Sequence, residues 1–450
     1  MLSSSQKKFL GILLTLALPI SLQNLLTCSM TVIDILMVGQ LNETAIAAVG
    51  IANQFAFIFI IIQFGIHSGI SIFTAQYWGK NDKSRIKQLS GMGILMGLFV
   101  AAFFSFISLV FSKYLMEFFS KDPEVVQLGA EYLKIVGIVF AFSAVSFSFM
   151  SNLRAMGHVK VPMISSMVAV SLNIFLNYLL IFGNLGFPAL GVTGAAIATT
   201  ISKIVEGLVM VGIIYGKRYP LAASIKEMLG FDFDFFKKVF STCWPVFLNE
   251  LFWVTGVSLY KLVYARMGTE TIAAVNIVAT IEEFMFIPFF GIFHGGAIII
   301  GNSIGSGKNE TANAYGKFLL ITQLIMAVAA GGIMILSRGF VLSFYNISLT
   351  TYENAYSLML VAGLIFWAKT TNFTTIVSVL RGGGDTRFGL FLDLTGVWFI
   401  GLPMAFLAAF YFDLPVYLVM ALIAVEEVFK LGIGIPRFLS KKWIRNLVLT

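Results

Sequence analysis

The sequence predicts an all-α polytopic membrane protein, with about twelve transmembrane helices in two parallel-repeat six-helix bundles and both termini cytoplasmic. Three observations predict it. The 450-residue chain is 58% hydrophobic and only 12% charged, more apolar surface than one water-soluble core buries. Its apolar residues fall in long uninterrupted runs separated by short polar loops. Landmarks of the first half return in the second at one constant spacing.

A helix that crosses a bilayer needs roughly 20 apolar residues. Such runs centre on 10–38, 44–76, 88–112, 128–150, 161–183, 191–215, 239–266, 270–302, 315–337, 353–378, 388–410 and 414–436. They are continuous, whereas barrel strands alternate over about ten residues, so helices are expected. Lys7 and Lys8 precede the first run as in a signal peptide, but the run is too long and lacks a small-residue cleavage pattern. It reads as a retained first helix.

The net charge of +8 is explained by topology rather than by a nucleic-acid partner. With the N-terminus inside, most Lys and Arg fall in cytoplasmic segments, among them Lys80, Lys83, Arg85, Arg154, Lys217, Arg218, Lys308, Arg381, Arg387 and Arg437. Outer loops receive few, such as Lys113, Lys121, Arg266 and Arg338. This asymmetry, with cationic segments at both ends, requires an even number of spans. The expected organisation is an N-terminal lobe over 1–215, a cytoplasmic interfacial linker over 216–238 carrying Phe231, Phe233, Phe235 and Phe236, and a C-terminal lobe over 239–450.

The repeat rests on several anchors. Ile46-Ala47-Ala48-Val49 returns as Ile272-Ala273-Ala274-Val275, Phe64-Gly65-Ile66 as Phe290-Gly291-Ile292, Gly79 as Gly305 and Pro19 as Pro245. Leu153-Arg154-Ala155-Met156-Gly157 aligns with Leu380-Arg381-Gly382-Gly383-Gly384 at a spacing longer by one residue. Six spans per unit give both halves the same orientation. In this register Tyr260 stands opposite Asp34 and Asn24 opposite Glu250, so the frame is duplicated while these acids are not.

Other classes find little support. The three histidines, His67, His158 and His294, form no HExxH pair, and no nucleophile elbow is present. Gly301 to Lys308 lacks the spacing of a phosphate loop and has Asn309 at the Ser/Thr position, which argues against ATP as the energy source. Cys28 and Cys243 lie in apolar runs and read as small hydrophobes. An ionised carboxylate at mid-bilayer costs on the order of 2.5–3.5 kcal/mol, so each intramembrane acid is a functional candidate. Singled out among them are Asp34, Glu250, Glu282, Glu283, Glu426 and Glu427, with Lys369 as a basic counterpart. Successive helical residues point about 100° apart, which favours one acid of each adjacent pair, Glu282 over Glu283. Lys369 is expected to pair with Glu250 or Glu282. Asn173 and Asn177 share one face of a helix. Met30, Trp253, Tyr260 and Phe286 are the aromatic or polarizable residues near these acids.

Pro19, the run Ile33-Asp34-Ile35-Leu36-Met37-Val38-Gly39, the Gly-Val-Thr-Gly-Ala-Ala stretch at 191–196 and Leu-Arg-Gly at 380–382 together resemble the MATE (multidrug and toxic compound extrusion) family over essentially the whole chain. That resemblance implies a secondary antiporter, with no cofactor, in a bacterial-type inner or plasma membrane. It would export lipophilic, often cationic compounds in exchange for Na⁺ or H⁺ by alternating access, as a monomer with the lipid bilayer and its small substrates as partners. A lipid-linked oligosaccharide flippase of the same superfamily is the alternative. The resemblance also assigns Asp34, Asn173, Asn177 and Thr199 to an N-lobe site for Na⁺, with Asn177 where many relatives have an aspartate. It matches Glu250 and Glu282 to family acids that could bind cations in the second lobe, and Lys369 and Asn372 complete that polar region where NorM-like relatives carry an aspartate.

Overall fold

The computed structural model describes Ser4 to Leu449, with side chains from Gln6 onward. It is helical throughout its long elements. In chain order these are α1 (Ser4–Val38), α2 (Glu43–Gly79), α3 (Lys83–Val110), α4 (Ser112–Phe119), α5 (Pro123–Gly137), α6 (Val139–Ala155), α7 (Lys160–Leu180) and α8 (Gly191–Gly216). A short α9 (Ile225–Leu229) leads to α10 (Phe233–Arg266), α11 (Thr269–Gly305) and α12 (Asn309–Leu342). The chain ends in α13 (Leu349–Arg381), α14 (Thr386–Tyr411), α15 (Val416–Ile423) and α16 (Val425–Leu439).

Among the described residues, 10 helices are long and apolar enough to cross a membrane, or 11 counting α5 and α6, which join at a 48° bend, as one span. The last expected span, 414–436, is divided at Ala424 into pieces of 8 and 15 residues. Local signals set the boundaries. Asn42 and Asp82 accept from the backbone N–H of Ala45 and Arg85, capping α2 and α3, and Ser348 does the same for α13. Asp122 caps α5 ahead of Pro123. Phe99, Phe103 and Phe106 are exposed along one face of α3, as a lipid-facing stripe requires.

By compactness the chain forms two units, one of Leu22–Cys243 and the other of the described residues up to Ser21 with those from Trp244 onward. Both boundaries fall inside a long helix, within a few residues of Pro19 in α1 and Pro245 in α10. Proline interrupts the i to i−4 ladder and lets the helix axis change there.

Within the first unit the core is built from Ala48, Ala52, Phe59, Phe104, Leu133, Phe140 and Ala196. The linker belongs to it: Ser224 and Glu227 form a capping box at α9, Lys87 Nζ lies 2.6 Å from Glu227 Oε1, and Gln88 Nε2 donates to Gly230 O at 2.7 Å. At the end of this unit, a side chain on Gly69 would land 2.7 Å from Cys243, so glycine is what lets α2 and the start of α10 meet.

The second unit has its own core of Val263, Ala274, Val278, Met334, Leu358, Met359 and Ala405. The first half of α1 packs into it: Phe9 meets Tyr315 at a tilt and Phe318 edge to face, and Ser21 Oγ donates to Pro288 O at 3.2 Å. Here Gly291 leaves space for Ala17 and Ser21. π-helical turns at Thr374–Arg381, Thr395–Gly401 and Leu407–Tyr411 interrupt α13 and α14. Such turns are uncommon and concentrate at functional positions.

The repeat is visible in backbone detail. Gly157 and Gly384, matched in sequence, both take the left-handed conformation (φ 82° and 88°). After each, the chain closes the same turn, His158 N donating to Leu153 O and Asp385 N to Leu380 O, both at 2.8 Å. This is a helix C-terminal motif that glycine adopts without steric cost.

Candidate functional site

In the first unit, three helices bring the expected residues together. Asp34 lies near the end of α1, Asn173 and Asn177 are one turn apart on α7, and Thr199 is on α8. Asn177 Nδ2 donates to Asp34 Oδ1 at 2.5 Å and to Asn173 Oδ1 at 3.1 Å, and Asn173 Nδ2 faces Thr199 Oγ1 at 3.4 Å. Both asparagines are fully buried. Asn177 Oδ1 has no hydrogen-bond partner among the described residues. A buried amide oxygen without a donor is costly and is the kind of group a cation or a proton donor satisfies. Carboxylate, amide and hydroxyl oxygens form the donor set that hard monovalent and divalent cations prefer, so these residues fit Na⁺.

A second polar chain lies three turns away along α1. Arg154 Nη2 donates to Gln23 Oε1 at 2.6 Å, Gln23 Nε2 donates to Ser166 Oγ at 2.8 Å, and Ser166 Oγ donates to Glu206 Oε1 at 2.6 Å. Lys203 Nζ completes it on Glu206 Oε2 at 2.9 Å. Gln23, Ser166, Lys203 and Glu206 are not legible as a group from composition, because they are single polar residues spread over α1, α7 and α8. The repeat register holds the missing signal. Arg154 and Arg381 are matched, as are Gln23 and Asn249, both just after the repeated proline.

The second unit carries the corresponding residues with different partners. Arg381 Nη1 reaches Glu250 Oε1 at 2.6 Å, and Asn249 Nδ2 donates to Asp393 Oδ2 at 2.7 Å. Lys430 Nζ lies 3.4 Å from Asp393 and 3.6 Å from Glu426, whose other oxygen accepts from Tyr260 Oη at 2.6 Å. Glu427 accepts from Asn372 Nδ2 at 2.7 Å through both its carboxylate and its backbone oxygen. The expected second-lobe set therefore does not converge on one point. Glu250 pairs with Arg381, Glu282 with Lys369 at 2.9 Å, and Asn372 with Glu427. Of the two partners expected for Lys369, Glu282 is the one in contact. Glu426 and Glu427 are both buried, each served from a different helix, so neither is turned to lipid. Arg381, assigned from the sequence to a cytoplasmic loop, is buried because the π-helical end of α13 turns its guanidinium inward onto Glu250. Asp393 and Lys430 were absent from the sequence expectations.

An aromatic cluster adjoins Lys369 through Phe286. Phe286 packs on Phe366 with centroids 5.1 Å apart and on Phe373 at 6.2 Å, and Trp253 meets Phe373 at 6.4 Å. The Lys369 ammonium stands 5.9 Å from the Phe286 ring centroid. Carboxylate and aromatic face here hold a cation together.

Comparison with known proteins agrees with this architecture. The NorM protein of Thermotoga maritima, described as a probable multidrug resistance protein, is 25% identical over 97% of this chain and 94% of its own length. The uncharacterized transporter YisQ of Bacillus subtilis is 26% identical over 97% of this chain and 92% of itself. Among solved structures, the Vibrio cholerae MATE transporter VcmN in its bent form superposes with a TM-score of 0.87 at 18% identity, covering 98% of this chain and 100% of that one. The MatE family profile matches residues 19–179 and again 245–407, one match in each half of the repeat. The protein belongs to the MATE family of membrane transporters.

Proposed function

We propose that the protein is a secondary active multidrug efflux antiporter, exporting lipophilic, cationic compounds in exchange for inward Na⁺ or H⁺. The observation that carries this reading is the group of half-buried Asp34 and Thr199 around the buried Asn173 and Asn177, with an amide oxygen left without a donor. Na⁺ would be held by the Asp34 carboxylate and the amide and hydroxyl oxygens; a proton would sit on Asp34 itself. Either ion neutralises a half-buried negative charge within a membrane span, which is the change of state that alternating access needs. The names of the curated relatives, probable multidrug resistance proteins, support the efflux reading.

For the substrate, the second unit offers a carboxylate beside an aromatic cluster. Glu282 and Phe286 already hold the Lys369 ammonium, and a lipophilic cation has the same requirements. The site belongs to the bilayer of a bacterial-type inner or plasma membrane, with both termini cytoplasmic by the distribution of Lys and Arg. The test is efflux of a fluorescent lipophilic cation from proteoliposomes with Na⁺ and pH gradients imposed separately. Efflux driven by one gradient and lost in Asp34→Asn supports the assignment. Efflux that ignores both gradients overturns antiport.

A further inference from the structure

Three residues of α8 share one face at helical spacing: Thr199, Lys203 and Glu206. Thr199 belongs to the oxygen cluster of Asp34, and Lys203 follows it one helical turn later on the same face. The ammonium is not bonded to that carboxylate. It is held 2.9 Å from Glu206 Oε2, on the side away from Thr199 along the helix. Glu206 is in turn fixed through Ser166 and Gln23, so its position depends on α7 and α1. The net effect is one internal cation tethered beside a site suited to an external one.

We infer that Lys203 sets the cation affinity of the Asp34 site, and that Glu206 is the positioning residue that keeps the ammonium off it. The inference rests on the reading of Asp34 as a cation site. A fixed positive charge in a medium of low dielectric lowers the occupancy of a nearby cation site, and by more the closer it comes. With Glu206 in place the ammonium is partly neutralised and the site remains available. Without Glu206, Lys203 is free to extend toward Asp34 and compete with Na⁺ as an internal substitute. Because Glu206 is tied to Gln23, a change in the course of α1 beyond Pro19 also shifts this tether, which couples ion affinity to helix position.

The experiment measures Na⁺ binding to the full-length protein in detergent micelles by radiolabelled Na⁺, with Asp34→Asn as the reference for site occupancy. Lys203→Met is expected to bind Na⁺ roughly fivefold more tightly or better, and Glu206→Gln more weakly by a similar factor. In the double variant Lys203→Met/Glu206→Gln the weakening disappears, and Lys203→Arg keeps the parental affinity. Loss of a merely structural bond would weaken binding in every variant, so the opposite signs are the signature. Unchanged or weaker binding in Lys203→Met, with Asp34-dependent binding intact in the parent, overturns the inference, and this variant decides the matter even if Glu206→Gln fails to fold. Parental binding that is absent, or indifferent to Asp34→Asn, overturns the Na⁺ site and with it this inference.

Discussion

The amide of Gln23 donates to Ser166 at 2.8 Å, and the residues that the repeat matches to them, Asn249 and Asp393, are joined in the same way at 2.7 Å. Each pair ties the first helix of its half, shortly after a proline, to the face of a later helix. An arginine at the matched position accompanies each: Arg154 donates to Gln23, and Arg381 to Glu250, the neighbour of Asn249. The acids at Asp34 and Glu250 have no counterparts across the repeat, yet this amide and arginine fastening does. Duplication preserved the brace while the charges around it diverged.

Removing one partner of the Arg381–Glu250 pair should be costly. Both side chains are nearly buried, and breaking such a pair leaves an uncompensated charge worth about 3–5 kcal/mol. Arg381→Met is expected to lower the unfolding midpoint in micelles sharply, and Arg381→Met/Glu250→Met to recover most of the loss. A double variant no more stable than the single one would show that the pair is not the source of the effect.

Asp34→Asn should abolish gradient-driven efflux in proteoliposomes while insertion and thermal stability stay close to the parent. The amide keeps an acceptor for Asn177 and removes the charge that an ion must neutralise. Parental rates of gradient-driven efflux in this variant would be incompatible with a coupling role.

Gly291→Ala should detach the first half of α1 from α11. A methyl group there would overlap the Ala17 carbonyl oxygen and the Ser21 hydroxyl, so the two helix backbones cannot both stay in place. The expected outcome is faster cysteine labelling at an engineered position near Ala17, together with a cost of about 1–3 kcal/mol in stability. Unaltered labelling would mean that the contact takes up the methyl group without the helices separating.

The linker gives a pH prediction outside the membrane. Lys87 and the Ser224 cap hold the Glu227 carboxyl down to about 2, below its ordinary 4.5. A group whose folded value is depressed contributes fully above its ordinary value, and the contribution is lost as pH falls toward the folded one. Hydrogen exchange across α9, corrected for its intrinsic pH dependence, should therefore show constant protection above about pH 4.5 and fading protection as the pH falls toward 2. Glu227→Gln should show no such dependence in that window.

Much of this protein was legible in the sequence. Apolar runs long enough to span a bilayer mark helices because lipid offers the backbone no other hydrogen-bond partner. Matched glycines mark turns that need a left-handed residue, and Gly157 and Gly384 are both found there. The oxygen donors Asp34, Asn173, Asn177 and Thr199 were recognisable because the resemblance fixed their order along the chain. Tertiary structure alone decided which charge meets which. Glu250, Glu282, Lys369 and Asn372 read as one group in sequence but divide in space, Glu282 keeping Lys369 while Glu250 meets Arg381 and Asn372 meets Glu427, since side-chain direction on a helix depends on axial rotation, and the π turns of α13 and α14 change that rotation locally. It also decided that α1 belongs to two compact units, split near Pro19. A sequence records the proline, but where the helix halves pack depends on the glycine-lined surfaces that receive them.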